Sequence, residues 1–294
     1  MKPARFEYVP VDTVEAAVGA LGSAEDARLL AGGQSLVPLM NMRLASPEVL
    51  VDINGVAGLD GVSVDGEQNE VRLGALCRHR RLERDPDVRR VVPLFAQAAA
   101  WIGHPQIRNR GTLGGSLAHG DPAAELGAAL MALAGRVEVV GPHGRRTIAA
   151  EDLFVGFYTT SLEQQEIITD VVVPALAADA GTAFVEYAPR HGDFAVVGVA
   201  AHVRRQDGHC VEGRAAACGV ADTVVDLSEA LATLAGGDPA GDSALRAVAD
   251  RVGDLVEPHS DVHATADDRR ELAQLLTVQA VRRAWAAASE GQSR

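Results

Sequence analysis

Two glycine-centred segments, Ala31-Gly32-Gly33-Gln34-Ser35-Leu36 and Arg110-Gly111-Thr112-Leu113-Gly114-Gly115-Ser116, constrain this chain more than any other feature. Glycine lacks a Cβ and takes positive φ freely, so paired glycines let main-chain N–H groups approach a partner that a side chain would hold off. Successive N–H groups turned one way form a concavity that binds anions without a lysine. Each pair is followed by a serine, Ser35 or Ser116, and Thr112 precedes the second, so hydroxyl donors flank the backbone donors. That composition suits a pyrophosphate, and two such segments suggest a nucleotide held between them. Neither segment has the lysine of a P-loop or the spaced glycines of a Rossmann turn, which argues against both folds. An ordinary tight turn uses the same residues in a chain with 30 glycines, so the surroundings must separate the two readings.

With 294 residues, 47% of them hydrophobic, the chain can bury a full core and divides into two or three domains. A formal net charge of −13 argues against nucleic acid or an anionic membrane surface as the main partner, since both need clustered positive charge. No apolar run approaches the roughly 20 residues that span a bilayer. The segment Met1-Lys2-Pro3-Ala4-Arg5-Phe6 lacks a signal-peptide core, so the expected compartment is the cytoplasm. Cys77, Cys210 and Cys218 form no Cys-x-x-Cys pair, and no metal cluster is expected on this chain.

Pattern divides the chain into three units: residues 1–55, 56–175 and 180–290. The first reads as a helix from Val11 to Leu21, strands at Arg28 to Leu30 and Val49 to Ile53, and a helix from Leu36 to Leu44. That last helix begins just after the first glycine segment, where its dipole can favour a phosphate; it also has the spacing of a core helix, and both can hold. The second unit reads as strands Gly61 to Val64 and Glu70 to Ala75, a helical stretch from Arg80 to Ile102 in two pieces, and then the second glycine segment as a loop. Asp121 and Pro122 look like the N-cap and first residue of a helix running to Leu133. A hairpin turns at Gly141 to Gly144, and a strand covers Glu166 to Val173. The third unit reads as strands Phe184 to Ala188, Ala195 to Arg204 and Gly213 to Val220, with a turn at Gln206 to His209. Helices follow Leu227, the last from Ala266 to Ser289, and Ala175 to Gly181 and Gly236 to Asp242 look like connections.

Several segments, in this order, carry a specific likeness: Phe6-Glu7-Tyr8, Leu30 to Pro38, Leu50-Val51-Asp52-Ile53-Asn54, Gly103-His104-Pro105-Gln106-Ile107-Arg108-Asn109-Arg110-Gly111-Thr112 and Ala118-His119-Gly120-Asp121-Pro122-Ala123-Ala124-Glu125. Over nearly its whole length the chain resembles the FAD-binding medium subunit of molybdenum hydroxylases, the group of carbon monoxide dehydrogenase and bacterial xanthine, nicotine and caffeine dehydrogenases. The resemblance implies an α+β chain: the two-subdomain PCMH-type FAD-binding fold of vanillyl-alcohol oxidase relatives, then a C-terminal domain of CO dehydrogenase flavoprotein type.

By the same resemblance, FAD lies between the first two units. Leu29, Leu30, Ala31, Gly32, Gly33, Gln34, Ser35 and Leu36, with Gly111, Thr112, Gly114, Gly115 and Ser116, hold its pyrophosphate. Glu125, with Asp121 as a second candidate, faces ribityl or ribose hydroxyls, which suits a carboxylate able to accept two hydrogen bonds. Gly103 and Ile107 line the adenine or dimethylbenzene side. Phe194 stands where the family commonly has a tyrosine beside the isoalloxazine ring; it keeps the packing and loses the hydroxyl, and it can equally be plain core on a half-buried strand. Ser116 replaces a frequent asparagine, Gly120 a frequent alanine, and Asp268 a usual tyrosine, the last affecting a packing or interface contact. His259 and His263, with Asp261, have metal-ligand spacing but also suit the segment before a helix. His104 reads as holding the loop, and Arg28, Arg108 and Arg110 as holding loops or facing partner subunits.

The expected function is electron relay. A molybdopterin subunit oxidises substrate, an iron–sulfur subunit with two-iron two-sulfur clusters passes electrons singly, and FAD on this chain hands them to an external acceptor, in a dimer of heterotrimers. Flavin suits that step because it bridges one- and two-electron chemistry. No catalytic residue and no metal are expected here. Two alternatives stand beside this reading: a stand-alone FAD oxidoreductase of the same fold, and a scaffolding module without cofactor. The substrate (carbon monoxide, an N-heterocycle, a purine or an aldehyde) and the acceptor (NAD, quinone or oxygen) are not readable from the chain.

Overall fold

The computed structural model describes residues 1–237, 239 and 241–291. Positions 238 and 240 of the expected Gly236 to Asp242 connection lie outside the described residues.

The N-terminal part alternates strand and helix: β1 (Glu7–Pro10), α1 (Val14–Leu21), β2 (Ala27–Leu30), α2 (Leu36–Met42) and β3 (Val49–Asp52). Thr13 starts α1 by accepting from the Ala16 amide at 3.1 Å, which satisfies one of the first-turn donors that have no helical partner. The three strands form a parallel sheet in the order β1-β3-β2, as helical crossovers require. Ala17, Leu21, Val49, Val51 and Ile53 form its small core.

The middle part is built on the antiparallel sheet β4-β5-β10-β6-β7, made from β4 (Val62–Asp65), β5 (Glu70–Gly74), β6 (Arg136–Gly141), β7 (Gly144–Ala149) and the central β10 (Ile167–Pro174). Between β5 and β6 run α3 (His79–Arg84), α4 (Pro86–Val91), α5 (Pro93–Ala99), α6 (Pro105–Arg108), α7 (Leu113–His119) and α8 (Glu125–Ala132). The predicted two-piece helix is thus three pieces. Pro86 and Pro93 each sit in the first turn of a new helix, where a missing N–H costs nothing but the preceding helix cannot continue. After β7 come α9 (Ala150–Leu153), β8 (Phe154–Gly156) and β9 (Thr159–Thr160), the last two forming a small hairpin that no sequence pattern marks.

The third part is an antiparallel meander of β11 (Ala180–Tyr187), β12 (Val197–Gln206), β13 (His209–Cys218) and β14 (Val225–Asp226), followed by α10 (Ser228–Leu231), α11 (Asp242–Leu255) and α12 (Ala266–Gly291). Asp207 and Gly208, both at positive φ, make the tight β12–β13 turn. One face of this sheet packs on α12; the other packs on α8 of the middle part, so the second and third sheets share a core through one helix. Asp268, expected to mark a lost contact, closes a capping box for α12: its carboxylate accepts from the Thr265 amide at 2.9 Å while Thr265 Oγ1 accepts from the Asp268 amide at 3.1 Å.

Candidate cofactor site

The first glycine segment leaves β2 at Leu30 and turns into α2. Gly33 supplies the turn at φ +70°, a conformation that side chains resist. The carbonyls of the segment are tied back into the protein: Leu30 and Ala31 accept from Asn54 Nδ2, Gly32 from Gln34 Nε2 at 3.1 Å and Gly33 from the Val37 amide at 3.2 Å. Its amides are not. Among the described residues, the N–H groups of Gly32, Gly33, Gln34, Ser35 and Leu36 donate to no protein acceptor. Such a run of unpaired donors, on a segment whose acceptors are already used, is what an anion needs.

The second segment differs from its expected form. It is the first turn of α7, not a loop, with Thr112 as N-cap accepting from the Gly115 amide at 3.2 Å. The Leu113 amide donates to Cys77 O and the Gly114 amide to Ala75 O, at 2.9 and 2.8 Å. Gly114 is a packing glycine: a Cβ there would sit 2.6 Å from that of Ala75. Gly115 is exposed and Ser116 half-buried, so the surface this segment offers lies at those two residues.

The structure brings the two segments into contact. A Cβ on Gly32 would lie 2.5 Å from Arg110 O and 2.8 Å from Gly111 Cα, so the two backbones touch where neither has a side chain. A side-chain bridge fixes the approach: Asn54, which holds the Leu30 and Ala31 carbonyls, accepts at Oδ1 from Arg78 Nη2 at 2.6 Å, and Arg78 also donates to Arg110 O. Behind them His79 is buried, its amide donating to Gly111 O at 3.0 Å and its Nε2 bonded to Thr112 O at 2.9 Å. Arg78 and His79 were not singled out in the sequence, and no spacing signal marks them.

Glu125 opens α8 and is buried; burial, with the Asp121 charge adding, pushes its carboxyl up to about 7. Asp121 and Pro122 do not start that helix. Asp121 accepts from the Ala123 amide at 2.9 Å in a local turn, and the helix begins three residues after Pro122, with Ala124 as its cap. Gly103, at φ +46°, packs on the Ile107 side chain, and the buried Arg108 braces that turn by donating to Ile102 O and Gly103 O while pairing with Glu83 at 2.9 Å. Arg108 therefore holds a loop, as expected; Arg28 pairs with Asp26. The His104 ring lies against Gly192, in the turn that leads to Phe194. Phe194 is 77% exposed, which overturns the reading of it as plain core. His259 pairs with Asp222, and among the described residues no group of His, Cys, Asp and Glu could hold a metal. No helix among them is long and apolar enough to cross a membrane.

A parallel three-stranded lobe and an antiparallel lobe meet at a glycine turn with unpaired amides, the geometry of a protein that binds an anionic cofactor. Residues 4–176 match the family described as "FAD binding domain in molybdopterin dehydrogenase", and residues 182–284 match "CO dehydrogenase flavoprotein C-terminal domain". The chain belongs to this family of FAD-binding medium subunits of molybdenum hydroxylases. It is 40% identical over 276 residues to the nicotine 6-hydroxylase medium subunit of Paenarthrobacter nicotinovorans, covering 94% of this chain and 96% of that one. It is 37% identical to the carbon monoxide dehydrogenase medium chain of Hydrogenophaga pseudoflava, over 97% and 99% of the two chains. Among solved structures, carbon monoxide dehydrogenase from that organism superposes with a TM-score of 0.94 at 39% identity, covering 98% of this chain and 99% of that chain. Quinoline 2-oxidoreductase from Pseudomonas putida 86 superposes with 0.91 at 34% identity, over 99% of each. The relatives are oxidoreductase subunits, FAD is the cofactor of the family, and the α+β fold is the expected one.

Proposed function

We propose that this chain binds FAD between its first two units and relays electrons within a cytoplasmic molybdenum hydroxylase, from an iron–sulfur subunit to an external acceptor. The observation that carries the reading is the run of five unpaired amides from Gly32 to Leu36, set against Gly111 by direct backbone contact. The FAD supplies the exchange between one- and two-electron transfer; the chain binds, orients and shields.

In this reading the amides of Gly32 to Leu36 take the pyrophosphate, with Gly115 and Ser116 closing its other side, and Thr112 and Gly114 shape that wall from behind. Leu29, Leu30 and Ala31 set the entry of the turn, while Gly103 and Ile107 bound the cleft at one end. Glu125 and Asp121 accept from sugar hydroxyls, and the exposed ring of Phe194 covers the flavin. No acid–base residue is assigned, because the work here is electron transfer. The partners in this reading are an iron–sulfur subunit and a molybdopterin subunit, paired as a dimer of heterotrimers, and units 1–55, 56–175 and 180–290 act as two cofactor lobes and a closing domain.

The test is purification from native cells with a visible spectrum and molybdenum and iron analysis. One flavin per chain, accompanied by two partners carrying molybdenum and iron, is the expected result. A chain that arrives alone, and takes up no FAD when it is supplied, overturns the reading.

A further inference from the structure

Strand register places Glu186 of β11 opposite Gly198 of β12, and Gly198 opposite Cys218 of β13. This row lies on the face that also carries Phe184, Ala200 and Ala216, which share a core with α8. The neighbours close over Gly198, which has no side chain to hold them off: a Cβ there would be 2.7 Å from Cys218 Sγ, 3.1 Å from the Phe184 ring and 3.7 Å from Glu186 Oε2. Both Glu186 carboxyl oxygens are closed off from solvent and, among the described residues, have no hydrogen-bond partner. A carboxylate left in that condition is strongly disfavoured, so such a group keeps its proton.

The charged neighbours make the same demand. Glu125, on the first turn of α8, acts on both Glu186 and Cys218, and Asp121, in the turn before α8, acts on Glu125 and Cys218. The titratable groups that act on one another here, from α8, its preceding turn, β11 and β13, are therefore Glu125, Asp121, Glu186 and Cys218, all of which become negative when they titrate.

We propose that Glu186 is a positioning residue that keeps its proton at neutral pH, so that Glu125 alone of these two carboxyls ionises toward the hydroxyls of the cofactor. The assignment rests on the reading of Glu125 given above. Burial first, and then the Glu125 charge, push Glu186 up to about 9, whereas Glu125 is pushed only to about 7. The two titrate as a coupled pair, and the enclosed, unpartnered carboxyl of Glu186 is the one that keeps its proton longer. A second negative charge, on a carboxyl closed off from solvent, would add repulsion toward an anionic cofactor and unsettle the sheet beside Gly198.

Two measurements decide it. Infrared spectra of the apo-protein at about pH 8 should contain the C=O stretch of a protonated carboxyl, and Glu186→Gln should remove it. FAD affinity, followed by flavin fluorescence quenching, should weaken about tenfold in the wild type between about pH 8 and pH 10, while Glu186→Gln, neutral throughout, should stay within about twofold. The same pH profile in both proteins, or an infrared band that survives the substitution, overturns the proposal. If neither protein binds FAD, the functional reading fails, and the infrared band still decides where the proton sits. If Glu186→Gln does not fold, Glu125→Gln serves: the protonated-carboxyl band must persist in it, and its loss counts against Glu186.

Discussion

Arg78 donates from Nη2 to Asn54 Oδ1 at 2.6 Å, and this bond bridges the two glycine segments beside their direct backbone contact. Asn54 grips the first by the Leu30 and Ala31 carbonyls, and Arg78 grips the second by the Arg110 carbonyl. The unpaired amides of Gly32 to Leu36 are thus positioned by a pair that lies outside both segments.

Removing either partner should loosen the cradle more than the fold. Asn54→Ala and Arg78→Ala are each expected to weaken FAD binding about tenfold, roughly 1.4 kcal/mol, the size of one charge-assisted bond at a partly exposed site. The double variant should lose little more than either single one, because both break the same bridge. Fully additive losses in FAD titrations would show that the two residues act separately.

Gly32→Ala tests the contact of the two backbones. The new methyl would press on Arg110 O and Gly111 Cα, neither of which can rotate away, so a loss of about 1–3 kcal/mol in urea unfolding is expected together with loss of flavin. Gly19→Ala is the control. It lies within α1 with nothing near its added carbon, and should stabilise by about 0.5–1 kcal/mol without changing FAD affinity. Tolerance of Gly32→Ala would mean that the two segments stand further apart.

What the sequence reveals of this site follows from the range of the forces involved. The first segment was legible because its glycines answer a local need, positive φ at Gly33 and a close approach at Gly32. The second read as a loop because glycine disfavours helix, yet the Thr112 cap and the fit of Gly114 on Ala75 make it one. Asp121-Pro122 imitates a helix start because an Asx turn and an N-cap use the same side-chain bond to a nearby amide. Arg78, His79 and Glu186 left no signal, since their roles depend on residues 24 to 61 positions away, brought near only by the fold.

Phe194 should separate function from stability. Its ring is 77% exposed, so Phe194→Ala is expected to change unfolding free energy by less than about 0.5 kcal/mol. If the ring covers the flavin, the same variant should raise the fluorescence of bound FAD and shift its visible bands, while Phe194→Tyr should leave both close to wild type. A clear loss of stability in Phe194→Ala, with an unchanged flavin spectrum, would return the residue to a packing role.

His79 makes the junction sensitive to acid. The Thr112 carbonyl can only accept, so His79 Nε2 carries the proton, and Nδ1, buried against Gly111, has no partner among the described residues. Burial first, then the Arg108 and Arg78 charges, lower its pKa from 6.5 to about 4, against the partial support of the Thr112 bond. Between those values the unfolded chain binds a proton that the folded chain refuses, so stability rises with pH across that window. The contribution is complete above about pH 6.5, falls as pH drops toward 4, and amounts to about 3 kcal/mol. In urea titrations from about pH 4 to pH 8, the stability of the wild type minus that of His79→Gln should therefore grow by about that amount as pH rises through the window, since carboxylates common to both cancel. A difference that stays constant with pH would mean that folding does not lower the pKa of His79, and that its ring is not enclosed behind the second glycine segment.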